Sequence, residues 1–135
     1  MRTEEHIKAF EEHKRTIFKW AVEVLGAENS QRIIGLHASR GVTELLSAAL
    51  HKKSLIDHGF QLNHRWFKSK KVSERLPEFL NKPLIVNKMI ELEILSEELA
   101  YGTQKSSKEI EKCVNLFKEL EKIIKDLIGE NYEKK

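Results

Sequence analysis

Ile110, Cys113, Phe117, Leu120, Ile124 and Leu127 recur at spacings of three and four. That rhythm places side chains on one face of an α-helix and cannot be read as a strand, whose faces alternate every second residue. Ser106-Ser107-Lys108-Glu109 stands just ahead of the stripe as a capping box, and Gly129 closes it. The same period governs the rest of the chain, with no alternating stretch of useful length. An all-α fold follows.

Four long helices and one short one are expected. The first spans residues 3–25, with Ile7, Phe10, Ile17, Phe18, Ala21, Val22 and Leu25 on its buried side and Gly26 as its stop. Asn29 or Ser30 then caps a second helix over residues 30–56. Residues 60–71 form a connection without clear period, and a short helical piece is placed near residues 73–80, limited by Pro77. Asn81, Lys82 and Pro83 open the next helix, which carries Ile85, Met89, Leu92, Leu95 and Leu99 and stops at Gly102. The result is an up-and-down bundle over residues 1–129, one domain, followed by a charged tail at 130–135. A single cysteine, Cys113, excludes an internal disulfide framework, and its place on the apolar stripe makes it a packing residue. No apolar run reaches the ~20 residues needed to span a bilayer, and no signal-peptide core follows Met1, so a cytoplasmic protein without membrane association is expected.

The second helix carries more than core residues. His37, Arg40, Glu44 and His51 form a polar line between apolar zones, while Gly35, Ala38, Ser39, Gly41, Ser47 and Ala48 make a narrow surface. Each glycine costs about 1 kcal/mol relative to alanine inside a helix, so close approach of another backbone must be its use. That approach is either intramolecular or between copies; the bordering polar line favours a homodimer through the second helix. His6 and His13, among glutamates on the first helix, read as surface residues.

Several chemistries are excluded. No glutamate precedes a histidine by three positions, which removes a carboxylate-bridged di-iron bundle. Seven-residue spacing keeps His37, Glu44 and His51 about 10 Å apart in succession, too far for one zinc ion. Gly-rich phosphate loops are absent. Neither a metal nor a cofactor is expected. Basic and imidazole chemistry remains. Between His51 and Arg75 seven lysines and arginines stand against Asp57 and Glu74, although the whole chain carries only +3.

The run from His37-Ala38 through Ala48-Ala49-Leu50-His51, followed by His64-Arg65-Trp66-Phe67 and by Tyr101-Gly102 at the end of a later helix, resembles the HEPN domain family of prokaryotes across residues 5–128. The resemblance implies a small dimeric helical bundle. It also implies a metal-independent ribonuclease or toxin-like component, neutralised by a minimal nucleotidyltransferase acting as antitoxin. The family's active motif, Arg-x4–6-His, is matched by Arg32 and His37, here on the second helix where the family uses the final helix of its core. Five helical residues set the two about 140° apart, so a bent arginine or a second copy must bring them together. Arg40 and His64 complete the candidate catalytic set. The competing reading makes His37 a packed histidine and Arg32 a surface residue.

Within the connection, Arg65, Trp66, Lys68, Lys70 and Lys71 combine cations with a flat ring, the means by which unpaired RNA is held. The alternative, in which Trp66 and Phe67 anchor the connection to the bundle and the lysines are solvated, stays open. An RNA- or nucleotide-associated module is thus the leading expectation. A non-catalytic dimeric scaffold for a partner protein is the second.

Overall fold

The computed structural model of the chain describes residues 2–129; the charged tail lies outside them. Helix α1 (Thr3–Arg15) continues into a wider π-helical half (Thr16–Leu25) and ends at Gly26, whose φ of 86° only glycine adopts readily. A 3₁₀ turn (Ala27–Ser30) leads into α2 (Gln31–Lys52). After a long connection come α3 (Lys82–Tyr101) and α4 (Ser107–Ile128). No strand occurs among the described residues.

Helix α2 is the centre of the bundle, with fifteen of its 22 residues buried and α1, α3 and α4 packed around it. Its small residues are what let them in. A Cβ at Gly35 would lie 2.5 Å from the Ala100 nitrogen and 2.6 Å from the Ser96 oxygen on α3. One at Gly41 would lie 3.0 Å from His13 Cβ and 3.1 Å from Phe117 Cε2. Thr43 and Ser47 return their hydroxyls to the carbonyls of Ser39 and Thr43, so neither needs a partner outside the helix. The expectation that this stripe is a self-association face is therefore corrected: it is packed against the chain's own helices.

Other differences are local. Helix α2 stops at Lys52, because Ser54 takes a left-handed φ of 57°. Leu55 N–H then bonds Leu50 O at 2.9 Å and Ser54 N–H bonds His51 O at 3.0 Å, a Schellman closure built without glycine. Ser30 sits at the N-terminal boundary of α2, but its hydroxyl donates to Ala21 O at 3.0 Å, tying the end of the first helix to the start of the second. In the π-helical half the wider winding changes which residues share a face: Ile17 and Ala21 are buried, Phe18 and Val22 pack at the core margin, and Leu25 and Trp20 are exposed. The short helix is displaced. Two 3₁₀ turns, His64–Lys68 and Lys70–Arg75, occupy the connection, capped by Asn63 and Ser69. Leu76 ahead of Pro77 is extended, as a residue before proline tends to be, and no helix spans 73–80. Buried Lys82 anchors this segment by donating to Ser73 O and Leu76 O, each at 3.0 Å, and pairing with Glu78 at 2.8 Å.

Helices α3 and α4 follow the sequence closely. Every apolar residue assigned to their stripes is buried, and Ser106 Oγ accepts from Glu109 N–H at 3.3 Å at the start of α4. No helix among the described residues is long and apolar enough to cross a membrane.

Candidate functional site

The polar line of α2 faces polar residues of α1 and of the connection. From α1, His13 Nδ1 lies 2.9 Å from His37 Nδ1, and His6 Nδ1 lies 3.3 Å from Glu44 Oε2. From the connection, His64 Nδ1 reaches Glu93 Oε1 of α3 at 2.8 Å. The imidazoles of His6 and His51 stack at 5.0 Å between centroids, and His58 follows His51 at 5.7 Å. All six histidines of the chain thus belong to one side of the bundle.

Two adjoining depressions open there. One, between α2 and α3, is lined by Ser39, Arg40, His64, Arg65, Glu93 and Tyr101 among others. The second, between α1, α2 and the connection, is lined by His13, Arg40, Glu44, Asn63, His64 and Arg65 among others. Arg40, His64 and Arg65 border both and so define a single cleft. A glutamate 3 % exposed fixes the His64 ring by one nitrogen, which leaves Nε2 as the nitrogen available to a ligand. Arg40 donates to Leu36 O on its own helix; its remaining donors have no partner among the described residues.

Electrostatics separate the imidazoles. Burial, with the His37 ring beside it, pushes the His13 pKa below the ordinary histidine value, while Glu44 opposes the shift. Burial and then Arg40 lower that of His37. His51 is lowered by burial and by His6, with His58 adding to the effect and Asp57 opposing it. The His13–His37 bond needs one Nδ1–H and one bare Nδ1, so with both rings neutral they hold opposite tautomers and the donating ring presents a basic Nε2. Among the described residues no three His, Cys, Asp or Glu side chains converge as a metal cage.

The sequence candidates fall into three groups. Arg40, His64 and Arg65 come together in the cleft, and His37 stands behind it, bonded to His13. Arg32 does not join them: its guanidinium donates to Ala100 O at 2.8 Å and Gly102 O at 3.4 Å, capping the end of α3. Lys68 borders the cleft and pairs with Glu97 at 3.0 Å, while Lys70 and Lys71 are exposed on the following 3₁₀ turn. Trp66 is half-buried against the core, with Arg75 4.8 Å over its ring and Phe60 edge-on at 6.0 Å. Phe67 is only 1 % exposed, so it anchors the connection.

Sequence reasoning missed three residues. His6, expected on the surface, is 2 % exposed, and His13 is half-buried at the cleft. Both are drawn in because α1 lies along the polar line of α2. Glu93, a carboxylate within an apolar stretch of α3, was the one available signal for the partner of His64. Cys113 is packed as expected, burial pushing its thiol up to about 12. No family model, no curated protein and no solved structure matches this chain.

Proposed function

We propose that this cleft binds RNA or a nucleotide and cleaves the RNA phosphodiester without a metal ion, in a bundle of the HEPN type. One observation carries the reading: two imidazoles, His13 and His64, and two guanidinium groups, Arg40 and Arg65, line the same depression. Arg40 and Arg65 hold the scissile phosphate and stabilise the charge that grows on it. The neutral His13 ring, oriented by His37, accepts the proton of the 2′-hydroxyl, and the 2′-oxygen forms the new bond to phosphorus. His64, oriented by Glu93, gives a proton to the departing 5′-oxygen as the P–O5′ bond breaks. The products are a 2′,3′-cyclic phosphate and a 5′-hydroxyl. A minimal nucleotidyltransferase as partner, which the HEPN resemblance implies, belongs to the same proposal.

The test is cleavage of a 5′-labelled single-stranded RNA in the presence of a chelator. His13→Ala and His64→Ala are each expected to lower the rate about 10²- to 10⁴-fold, the usual contribution of a general acid or base. Arg32→Ala, whose side chain caps α3, is expected to leave it unchanged. Equal rates in wild type and both histidine variants would remove the acid–base assignment. Neither binding nor cleavage by wild type would leave a non-catalytic scaffold for a partner protein as the better reading.

A further inference from the structure

The cleft has two ends that share Arg40, His64 and Arg65, and the end between α2 and α3 lies away from His13, the group assigned as base. It is a recess of about 180 Å³ reached past Arg40, His64 and Arg65, with Ser39 and Ser96 in its wall and Tyr101 at its rim. We infer that this recess holds one unpaired nucleobase of the bound RNA, stacked on Tyr101, while that nucleotide's phosphate lies against Arg40 and Arg65. The inference rests on the phosphate-binding reading of the cleft and adds a base subsite to it.

Size limits the occupant. Ligand pockets for drug-sized molecules run to roughly 300–1,000 Å³, so this smaller recess is matched to a single flat ring system, with the rest of a nucleotide lying outside it. Polarity then selects the ring. The Ser39 hydroxyl has no hydrogen-bond partner among the described residues, although the residue is only 5 % exposed. Ser96 adds a second polar residue to the wall, its hydroxyl lying 4.0 Å from the buried Cys113 sulfur. A hydroxyl both donates and accepts, which suits the mixed edge of a base and would be wasted on an aliphatic group. Above them Glu97, held by Lys68 at 3.0 Å, adds a carboxylate acceptor at the mouth.

Tyr101 supplies the remaining element. It stands on the last turn of α3 and is 67 % exposed, and no other ring packs against it among the described residues. Its position is fixed from below, because Gly35 lets α3 close onto α2 at Ala100 and Arg32 ties the Ala100 and Gly102 carbonyls to α2. A large exposed ring on a fixed backbone beside a polar recess offers a stacking platform, and stacking is tolerant of base identity because every base has a π face. Arg40, His64 and Arg65 border both ends of the cleft, so a base in the recess leaves its phosphate among the groups assigned to the chemistry.

Binding of the four nucleoside 5′-monophosphates and of ribose 5-phosphate, measured by calorimetry or by amide chemical shifts, tests this on the intact protein. The nucleotides are expected to bind at least tenfold more tightly than ribose 5-phosphate. They alone are expected to shift the amides of Ser39, Ser96 and Ala100. Tyr101→Ala should erase the advantage, a loss of roughly ten- to a hundredfold for one stacked base, without altering the affinity for ribose 5-phosphate. Tyr101→Phe should keep it. Equal affinity of wild type for ribose 5-phosphate and the nucleotides, or an advantage that survives in Tyr101→Ala, would overturn the base subsite while leaving the phosphate cleft standing. Failure of ribose 5-phosphate and nucleotides alike to bind would overturn both.

Discussion

Replacing Gly35 with alanine isolates the packing on which the site depends. In an isolated helix this change is favourable by about 1 kcal/mol. Here the new Cβ would lie 2.5 Å from the Ala100 nitrogen, 2.6 Å from the Ser96 oxygen and 2.9 Å from Leu99 Cβ. Two of those atoms are backbone of α3, which can yield only by moving the helix. Overpacking of this kind costs about 1–3 kcal/mol and sometimes more. With the contacts this short the upper end applies, and the net effect is a destabilisation of about 2 kcal/mol after the propensity gain. At this chain length that is about 6–8 °C in Tm. Urea denaturation at two protein concentrations tenfold apart reads the result. The midpoint should fall in Gly35→Ala by the same amount at both concentrations, because the clash lies within one chain. A more stable variant would refute the close α2–α3 approach, and a wild-type midpoint that falls on dilution while the variant's does not would show that the stripe meets a second copy instead.

Other expectations follow from the same contacts. His13, His37 and His51 have folded-state pKa values lowered by burial, so the unfolded chain binds more protons; stability should be level above about pH 6.5 and fall as the pH drops below it. Urea midpoints between pH 8 and pH 5 check this, and a midpoint that holds or rises on acidification would contradict it. Lys82→Met strips the donor from Ser73 O and Leu76 O and should cost about 2–3 kcal/mol, with faster amide exchange over residues 64–76. Glu78→Gln, at the exposed end of the same pair, should leave the unfolding midpoint nearly unchanged. Cys113, with its thiol pushed up to about 12 by burial, should resist alkylation at pH 8 until the protein is unfolded.

What the sequence showed, and what it hid, divides along a physical line. Helices α3 and α4 pack one apolar stripe each against the core, so their periodicity and their end signals at Asn81, Pro83, Gly102, Ser106 and Gly129 sufficed. The α2 stripe was legible as a close-approach surface but not as to what approaches, because glycine and alanine accept a neighbouring helix of the same chain as readily as one from another. His6 and His13 were hidden for a different reason. Glutamates surround them in sequence, and only the placement of α1 along Glu44, His37 and Arg40 turns them inward. The pairing of His64 with Glu93 spans 29 residues and two elements, a distance over which no local pattern reports. Arg32 and His37 matched a motif by spacing, yet the helix carries the arginine toward the end of α3 and the histidine toward α1.

The chemistry assigned to the His13–Arg40–His64 cleft leaves its own signature on the RNA ends. Mass analysis of fragments from a single-stranded RNA carrying one 2′-deoxy nucleotide, digested in the presence of a chelator, reads that signature directly. Fragments ending in 2′,3′-cyclic phosphate and beginning with 5′-hydroxyl are expected, with the linkage 3′ to the deoxy position left intact. Fragments with 5′-phosphate ends, or cleavage at the deoxy linkage, would show that the 2′-hydroxyl is not the nucleophile and would contradict the roles given to both histidines.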